Sequence, residues 1–368
     1  MKIAMIGLRG LPANYSGIEL AVEEIGTRLA KAGHDVTIYC MGRRPAETYK
    51  GMRLVYIPTV RGKNTEMVIY SMLASLHALW RRYDVVHLHA LGPGVMSALF
   101  RLFRRPVVVT CHGLDYLREK WGFLARSYIR FGEKMSVRYA NSVICVSQSM
   151  RSDLEKRYRK SLDYIPNGAT VNDAPGDDHL REALGLAPKG YFIFVGRLVE
   201  CKRVDVLVKA FRQLETDMKL VIVGGGSDEA TARLSGLAAG DDRIVFTGPV
   251  YGDALNDLFG NAAFFVLPSV LEGLPVALIE ALGHNLPVIV SDLPENLEVI
   301  ADDTGHYRGL ICERDSVTSL RDTLATAILH RVSLTEQYAD NGDFVIGKYG
   351  WDSIASQTAK CYARAARK

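Results

Sequence analysis

Short runs of β-branched and aromatic residues alternate along the chain with longer segments of helical period. Lys2 to Ile6, Asp35 to Tyr39, Arg53 to Ile57, Val85 to His89, Val107 to Cys111, Ser142 to Val146 and Leu162 to Ile165 are nearly continuous apolar runs. That is the pattern of parallel strands buried on both faces. Between the first two, residues 17–32 place Ile18, Val22, Ile25 and Leu29 at helical spacing and stop at Gly33. A second series follows, with strands predicted at Tyr191 to Val195, Lys219 to Val223, Arg243 to Thr247, Ala263 to Leu267, Pro287 to Val290 and Gly309 to Ile311. The stretch from Pro166-Asn167-Gly168 to Lys189 is rich in Gly, Pro, Asp and Asn and reads as a linker between the two series. The order predicts an α/β protein of two Rossmann-like domains with parallel sheets, residues 1–168 and 169–348, facing each other across a cleft. An amphipathic terminal helix, residues 349–368, comes after the second series is complete; it could pack on either domain and is expected to cross back onto the first. In open sheets of this kind ligands sit outside the carboxyl ends of the strands, so the informative residues should follow strand ends.

Composition adds one thing to this picture. A length of 368 residues, 48% hydrophobic and 23% charged, suits two separate cores and excludes disorder, a collagen repeat or a disulfide-built mini-protein. The net charge of +4 hides a division: residues 1–170 hold 26 Lys/Arg against 13 Asp/Glu, and the remainder 19 against 28. Residues 101–160 alone hold 14 against 5, interleaved with Phe100, Phe103, Tyr116, Trp121, Phe123, Tyr128 and Phe131. Interfacial helices of that composition attract anionic lipid; the plain alternative is a solvated face over core aromatics. No nucleic-acid partner is expected, because the acidic half would repel a polyanion and no nucleic-acid module is recognisable. The six cysteines show no CxxC spacing and read as buried thiols of a reducing compartment. The N-terminal apolar run is too brief for a signal sequence. The longest lipid-like stretch, Met67 to Trp80, is about 14 residues, short of the ~20 that span a bilayer.

Four places carry chemistry. The first strand ends in Gly7-Leu8-Arg9-Gly10, and the loop runs to Gly17 before the helix. The spacing is not GxGxxG; the loop is either a tight turn or an anion-accepting helix start. In the second half, Gly196-Arg197 follows a strand and Lys202 comes five residues later, two cations placed for a diphosphate or, more plainly, a solvated basic loop. Further on, Pro268 to Pro275 leads into a helix, with Glu272 and Glu280 eight residues apart. Pro275 suits a first helical turn. Carboxylates accept hydroxyls well, so one Glu could hold ribose and the other a sugar; alternatively Glu272 caps the helix and Glu280 faces solvent. Against that, Glu280 lies in the apolar run Val276 to Leu282, where an unpaired charge is costly. His112 follows Val107 to Cys111 at a strand end, and His87 and His89 alternate on another strand, where packing is expected because no third metal ligand is spaced nearby. There is no Asp-x-Asp, so a carboxylate pair for Mg²⁺ or Mn²⁺ is unsupported.

Glu272-x7-Glu280 with Gly196-Arg197 and Lys202 upstream resembles the retaining nucleotide-sugar glycosyltransferases of family four, which have the two-domain GT-B fold. The run Gly7 to Glu19, His112-Gly113-Leu114-Asp115, Lys120-Trp121 and Tyr164 to Gly168 resembles a bacterial subgroup that includes rhamnosyltransferases of surface-polysaccharide assembly. The resemblance implies that Arg197 and Lys202 neutralise the donor diphosphate, that Glu280 binds ribose, and that Glu272, with Gly273 and Leu274 beside it, faces the transferred sugar. It implies that His112 stabilises the reacting centre and that the base packs on the segment with Pro249 and Val250. Gly17 would contact donor through its backbone, although Ser16 stands where the family often has a second glycine. Tyr15, Asp115, Lys120 and Trp121 are the acceptor candidates. No cofactor and no metal are expected: the nucleotide sugar, dTDP-rhamnose or a UDP-hexose, is a substrate, and the acceptor a lipid-diphosphate-linked saccharide. Retention implies front-face attack, with no covalent nucleophile. The protein is expected in the cytoplasm, peripheral on the inner membrane face. Two other readings share the architecture. An epimerase would interconvert the sugar, and a binding protein would release no nucleotide diphosphate; a transferase releases it only with acceptor.

Overall fold

The strands form where the apolar runs lie, because only residues apolar on both sides can be covered by helices on both faces of a parallel sheet. The computed structural model describes residues 1–13, 17–44, 47–59, 62, 65–118, 121–169 and 178–367. It divides into two units: Met1–Gly168 with Trp351–Lys368, and Ala169–Gly350.

Among the described residues unit 1 contains eight strands: β1 (Lys2–Ile6), β2 (Asp35–Met41), β3 (Glu47–Tyr49), β4 (Met52–Ile57), β5 (Val85–His89), β6 (Val107–Cys111), β7 (Ser142–Cys145) and β8 (Asp163–Tyr164). Their order is β3-β4-β2-β1-β5-β6-β7-β8, parallel except for the β3-β4 pair. β3 escapes a search for apolar runs because it is a three-residue edge strand, Glu-Thr-Tyr, with two exposed positions. The helices that bear on function are α1 (Gly17–Lys31), α2 (Glu66–Leu79), α3 (Ser97–Leu102) and α4 (Phe123–Tyr139). The C-terminal helix, Trp351–Ala366, belongs to this unit: Trp351, Ile354, Cys361, Tyr362 and Ala365 join Val22, Ile25 and Leu29 of α1 in one apolar cluster. Arg28 Nε to Asp352 at 2.6 Å ties the two helices at the surface. Of the cysteines, Cys201 is half-buried rather than buried; it lies in the short 3-10 turn Glu200–Lys202, whereas the other thiols sit on strands or, for Cys361, on the buried face of the C-terminal helix.

Among its described residues unit 2 has six strands, all parallel: β9 (Tyr191–Val195), β10 (Lys219–Val223), β11 (Ile244–Gly248), β12 (Phe264–Leu267), β13 (Val288–Ser291) and β14 (Leu310–Cys312). The order is β11-β10-β9-β12-β13-β14. The chain begins at β9, winds to one edge, then returns and winds to the other, so strand order reverses between β9 and β12. In open parallel sheets the crevice at the carboxyl end of such a junction is the place for a ligand. In unit 1 the corresponding reversal lies between β1 and β5.

Candidate functional site

In unit 2 the residues singled out by sequence gather at the β9–β12 reversal. After β9 the chain turns at Gly196, whose N–H donates to Val223 O at 2.9 Å; Leu198 N–H donates to Gly225 O at 2.9 Å. The next strand answers with Gly224-Gly225-Gly226. Gly224 has φ +141°, and a Cβ there would stand 1.8 Å from Gly196 O. Only glycine permits two strand ends to close in this way. A Cβ at Gly225 would stand 3.1 Å from Pro249 Cγ, so the loop after β11, with exposed Pro249 and half-buried Val250, joins the same cluster. The triple glycine went unused in the sequence reading, although a glycine run directly after a strand was its signal.

The second loop is bound to the first. Val270 N–H donates to Cys201 O at 2.9 Å, and Lys202 Nζ meets Glu272 Oε1 at 2.5 Å. The side chains of Lys202 and Glu272 are only 17% and 9% exposed, so this is a largely desolvated, charge-assisted contact. The diphosphate-binding cation and the sugar-facing carboxylate expected from sequence are therefore direct partners. Arg197 is exposed beside them. Gly273 is half-buried and Leu274 buried, leading into the helix Val276–Gly283. Pro275 is the N-cap of that helix, with φ −78° and ψ 93°, and so precedes the first turn that sequence assigned to it. Extended ψ at this position keeps the chain open toward Glu272. Glu280 follows on the helix. Its carboxyl retains some surface but has no hydrogen-bond or ion-pair partner among the described residues. The dense apolar shell of its helix pushes its pKa up to about 7.

In unit 1, Gly7 ends β1 with φ +119°, and a Cβ there would lie 2.3 Å from His89 O. The loop beyond is braced by carboxylates of α1: Glu19 Oε1 accepts from Arg9 N–H at 3.2 Å and Glu23 Oε2 from Ala13 N–H at 2.8 Å. Gly17, exposed, is the first residue of α1. His112 stands just past β6, half-buried, with Nε2 3.1 Å from His89 Nδ1 and the rings stacked at 5.4 Å between centroids. Burial drives the His112 imidazole down to about 4, so it is neutral at pH 7. His87 and His89, which sequence assigned to packing alone, are buried; yet His89 is the hydrogen-bond partner of His112, a contact between strand ends that spacing along one strand does not reveal. Asp115 opens a short turn and is paired with Arg118 at 2.9 Å, and Trp121 follows, half-buried. Tyr15 and Lys120, the other acceptor candidates, and Ser16 lie outside the described residues.

Residues 15–172 match the model of Glycosyltransferase Family 4 and residues 177–343 that of Glycosyl transferases group 1, so the two together take in most of the chain. The chain is a glycosyltransferase of this family. Among its relatives, alpha-maltose-1-phosphate synthase of Mycolicibacterium smegmatis is 27% identical over 99% of both chains. The O-antigen chain mannosyltransferase RfbU of Salmonella typhimurium is 28% identical over 54% of this chain and 55% of its own. The Anabaena protein HepE, crystallised with UDP-glucose, superposes with a TM-score of 0.80 at 17% identity, covering 99% of each chain. That likeness establishes the fold: the glycosyltransferase has two parallel-sheet, Rossmann-like domains of GT-B type. Its Gly196–Lys202 and Val270–Glu280 segments lie within the second matched region, and His112 within the first.

Proposed function

We propose that this glycosyltransferase moves a sugar, with retention, from a nucleotide-diphosphate donor to a hydroxyl of a lipid-diphosphate-linked saccharide in bacterial surface-polysaccharide synthesis. One observation carries the donor reading. The segment after β9 and the loop after β12 are hydrogen-bonded together at the strand-order reversal of unit 2, so a cation, Lys202, and a carboxylate, Glu272, meet where such sheets take nucleotides. In this reading Arg197 and Lys202 meet the diphosphate oxygens, Glu280 accepts ribose hydroxyls, Glu272 faces the sugar with Gly273 and Leu274, and Pro249 and Val250 back the base. Gly17 contributes its backbone N–H. HepE was crystallised with UDP-glucose; dTDP-rhamnose is the other donor that the Gly7–Glu19 run favours.

The chemistry asked of the protein is electrostatic. The bond from the anomeric carbon to the phosphate oxygen breaks and its electron pair leaves with the nucleotide diphosphate, which the cations stabilise. The acceptor oxygen attacks the same face of the short-lived oxocarbenium-like sugar, and its proton passes to the departing phosphate oxygen. His112, neutral, hydrogen-bonds the transferred sugar. Neither a metal nor a protein nucleophile is invoked. Asp115, Trp121, Tyr15 and Lys120 are the acceptor side.

The membrane belongs to the same proposal. α2 exposes Val68, Met72, Leu73 and Leu76, with Trp80 just after it at 89% exposure, while α3 ends at exposed Leu102 and Phe103. α4 exposes Phe123, Leu124 and Phe131 beside Arg126, Arg130, Lys134 and Arg138, four residues apart on one face. Among the described residues no helix is long and apolar enough to cross a membrane; this pattern is that of helices lying on an anionic one. The protein then works peripherally at the cytoplasmic face.

A thermal-shift screen of dTDP- and UDP-sugars tests the donor assignment, since a ligand at 100 times its dissociation constant adds about 2.7 kcal/mol. A shift is expected for one donor, abolished in Arg197→Ala and Glu280→Ala and largely kept in His112→Ala, which should lose transfer. Full activity of Arg197→Ala would remove the diphosphate assignment.

A further inference from the structure

The reaction outlined above leaves two buried histidines of β5 unused. His87 and His89 are each 1% exposed. His87 is fully engaged: Nδ1 lies 2.6 Å from the Tyr362 hydroxyl and Nε2 2.7 Å from that of Thr110. Its ring rests against that of His89, centroids 4.0 Å apart, and His89 in turn places Nδ1 3.1 Å from His112 Nε2. The outer nitrogens of this second pair, His89 Nε2 and His112 Nδ1, are buried without a hydrogen-bond partner among the described residues.

A neutral imidazole has one N–H and one bare nitrogen, and burial drives all three rings toward the neutral form. The two tautomers are therefore coupled. If His89 donates from Nδ1, His112 must carry its hydrogen on Nδ1; if His112 donates from Nε2, His89 must carry its own on Nε2. Either way one N–H is left without an acceptor, and a buried orphan N–H is rarer than an orphan lone pair. The cost falls where burial is least complete. His112 keeps some surface just past the end of β6, whereas His89 is sealed between His87 and the close backbone approach of Gly7.

We infer that His89 is a positioning residue that holds His112 as its Nδ1–H tautomer, so that His112 offers a hydrogen-bond donor, and not a base, to an electron-rich oxygen of the transferred sugar. This rests on the reading of His112 given above. The C-terminal helix takes part, because Tyr362 fixes His87, and the His87 ring keeps His89 from turning. A sugar oxygen that gains electron density as the glycosidic bond breaks would satisfy the orphan N–H, so the tautomer acts on the reacting state more than on donor binding.

Long-range ¹H–¹⁵N spectra of the full chain, labelled at histidine and recorded at pH 7, separate the two tautomers. The His112 resonance, identified by its loss in His112→Ala, should show a protonated Nδ1 and a bare Nε2. Hydrolysis of UDP-glucose or dTDP-rhamnose, read as release of the nucleotide diphosphate with water as acceptor, gives the kinetic arm. His89→Phe keeps the ring and loses the donor, and kcat should fall roughly 10- to 100-fold with KM little changed. His89→Asn, whose side-chain NH₂ can stand near the lost Nδ1, should recover most of the rate. A protonated Nε2 at His112, or a wild-type kcat in His89→Phe, overturns the proposal. If His89→Phe does not fold, the wild-type spectrum decides alone. Full activity of His112→Ala would instead sink the reading on which the inference rests.

Discussion

Glu280 holds a carboxyl in a shell that favours its neutral form, with a pKa near 7 where 4.5 is ordinary. Between those two values the folded chain binds more protons at this position than the unfolded chain, so unit 2 loses stability as pH rises from about 4.5 to about 7. The loss should be about 3 kcal/mol. Urea titrations across that range should show the decline, and Glu280→Gln should flatten it. If ionised Glu280 accepts ribose hydroxyls, calorimetric affinity for the donor should also strengthen from pH 6 to pH 8 and lose that dependence in Glu280→Gln. Gly7 makes a simpler case. Its φ of +119° and the 2.3 Å approach of an added Cβ to His89 O mean that Gly7→Ala should cost about 2 kcal/mol or more of unit 1 stability, measured by denaturation. The same substitution should disturb the His112 resonance, since it pushes on the strand that carries His89.

The C-terminal helix is the element whose position matters most. Its first residue, Trp351, is 3% exposed in the unit 1 cluster, and its Tyr362 reaches a histidine 275 residues earlier in the chain. Trp351→Ala should remove roughly 3 to 5 kcal/mol from unit 1. Because the chain has two units, chemical unfolding should be read as two transitions, and only that of unit 1 should move. The amphipathic period of this helix was plain in the sequence; its destination was not, since the same apolar face would suit either domain. β3 failed for the opposite reason: three residues on an edge, two of them polar and exposed, carry no period. α4 lies between these cases. Its apolar and basic positions were readable as composition, but which of its apolar residues are core and which are surface is a matter of packing: Phe123 is 82% exposed, while Ile129 is buried.

For the molecule as a whole, the return of the C-terminal helix sharpens the charge division. Unit 1 gathers 30 Lys/Arg against 14 Asp/Glu and unit 2 only 15 against 27, a contrast of +16 with −12 where the linear halves gave +13 and −9. Flotation with anionic liposomes should carry the protein at low salt and release it at high salt. Phe123→Ser/Leu124→Ser should weaken flotation without changing hydrolysis of a soluble donor; binding unaffected by salt and by these changes would remove the membrane from the proposal. The sequence by itself determined the two α/β series, the strand ends on which chemistry must sit, and the residues of the candidate site, because burial on both faces leaves an apolar run and a turn leaves glycine. Only the tertiary structure decided that Lys202 pairs with Glu272, that Gly224 closes on Gly196, and that His89 meets His112. Those contacts join loops from different strands, and parallel strands bring their ends together through crossover connections that no local period encodes.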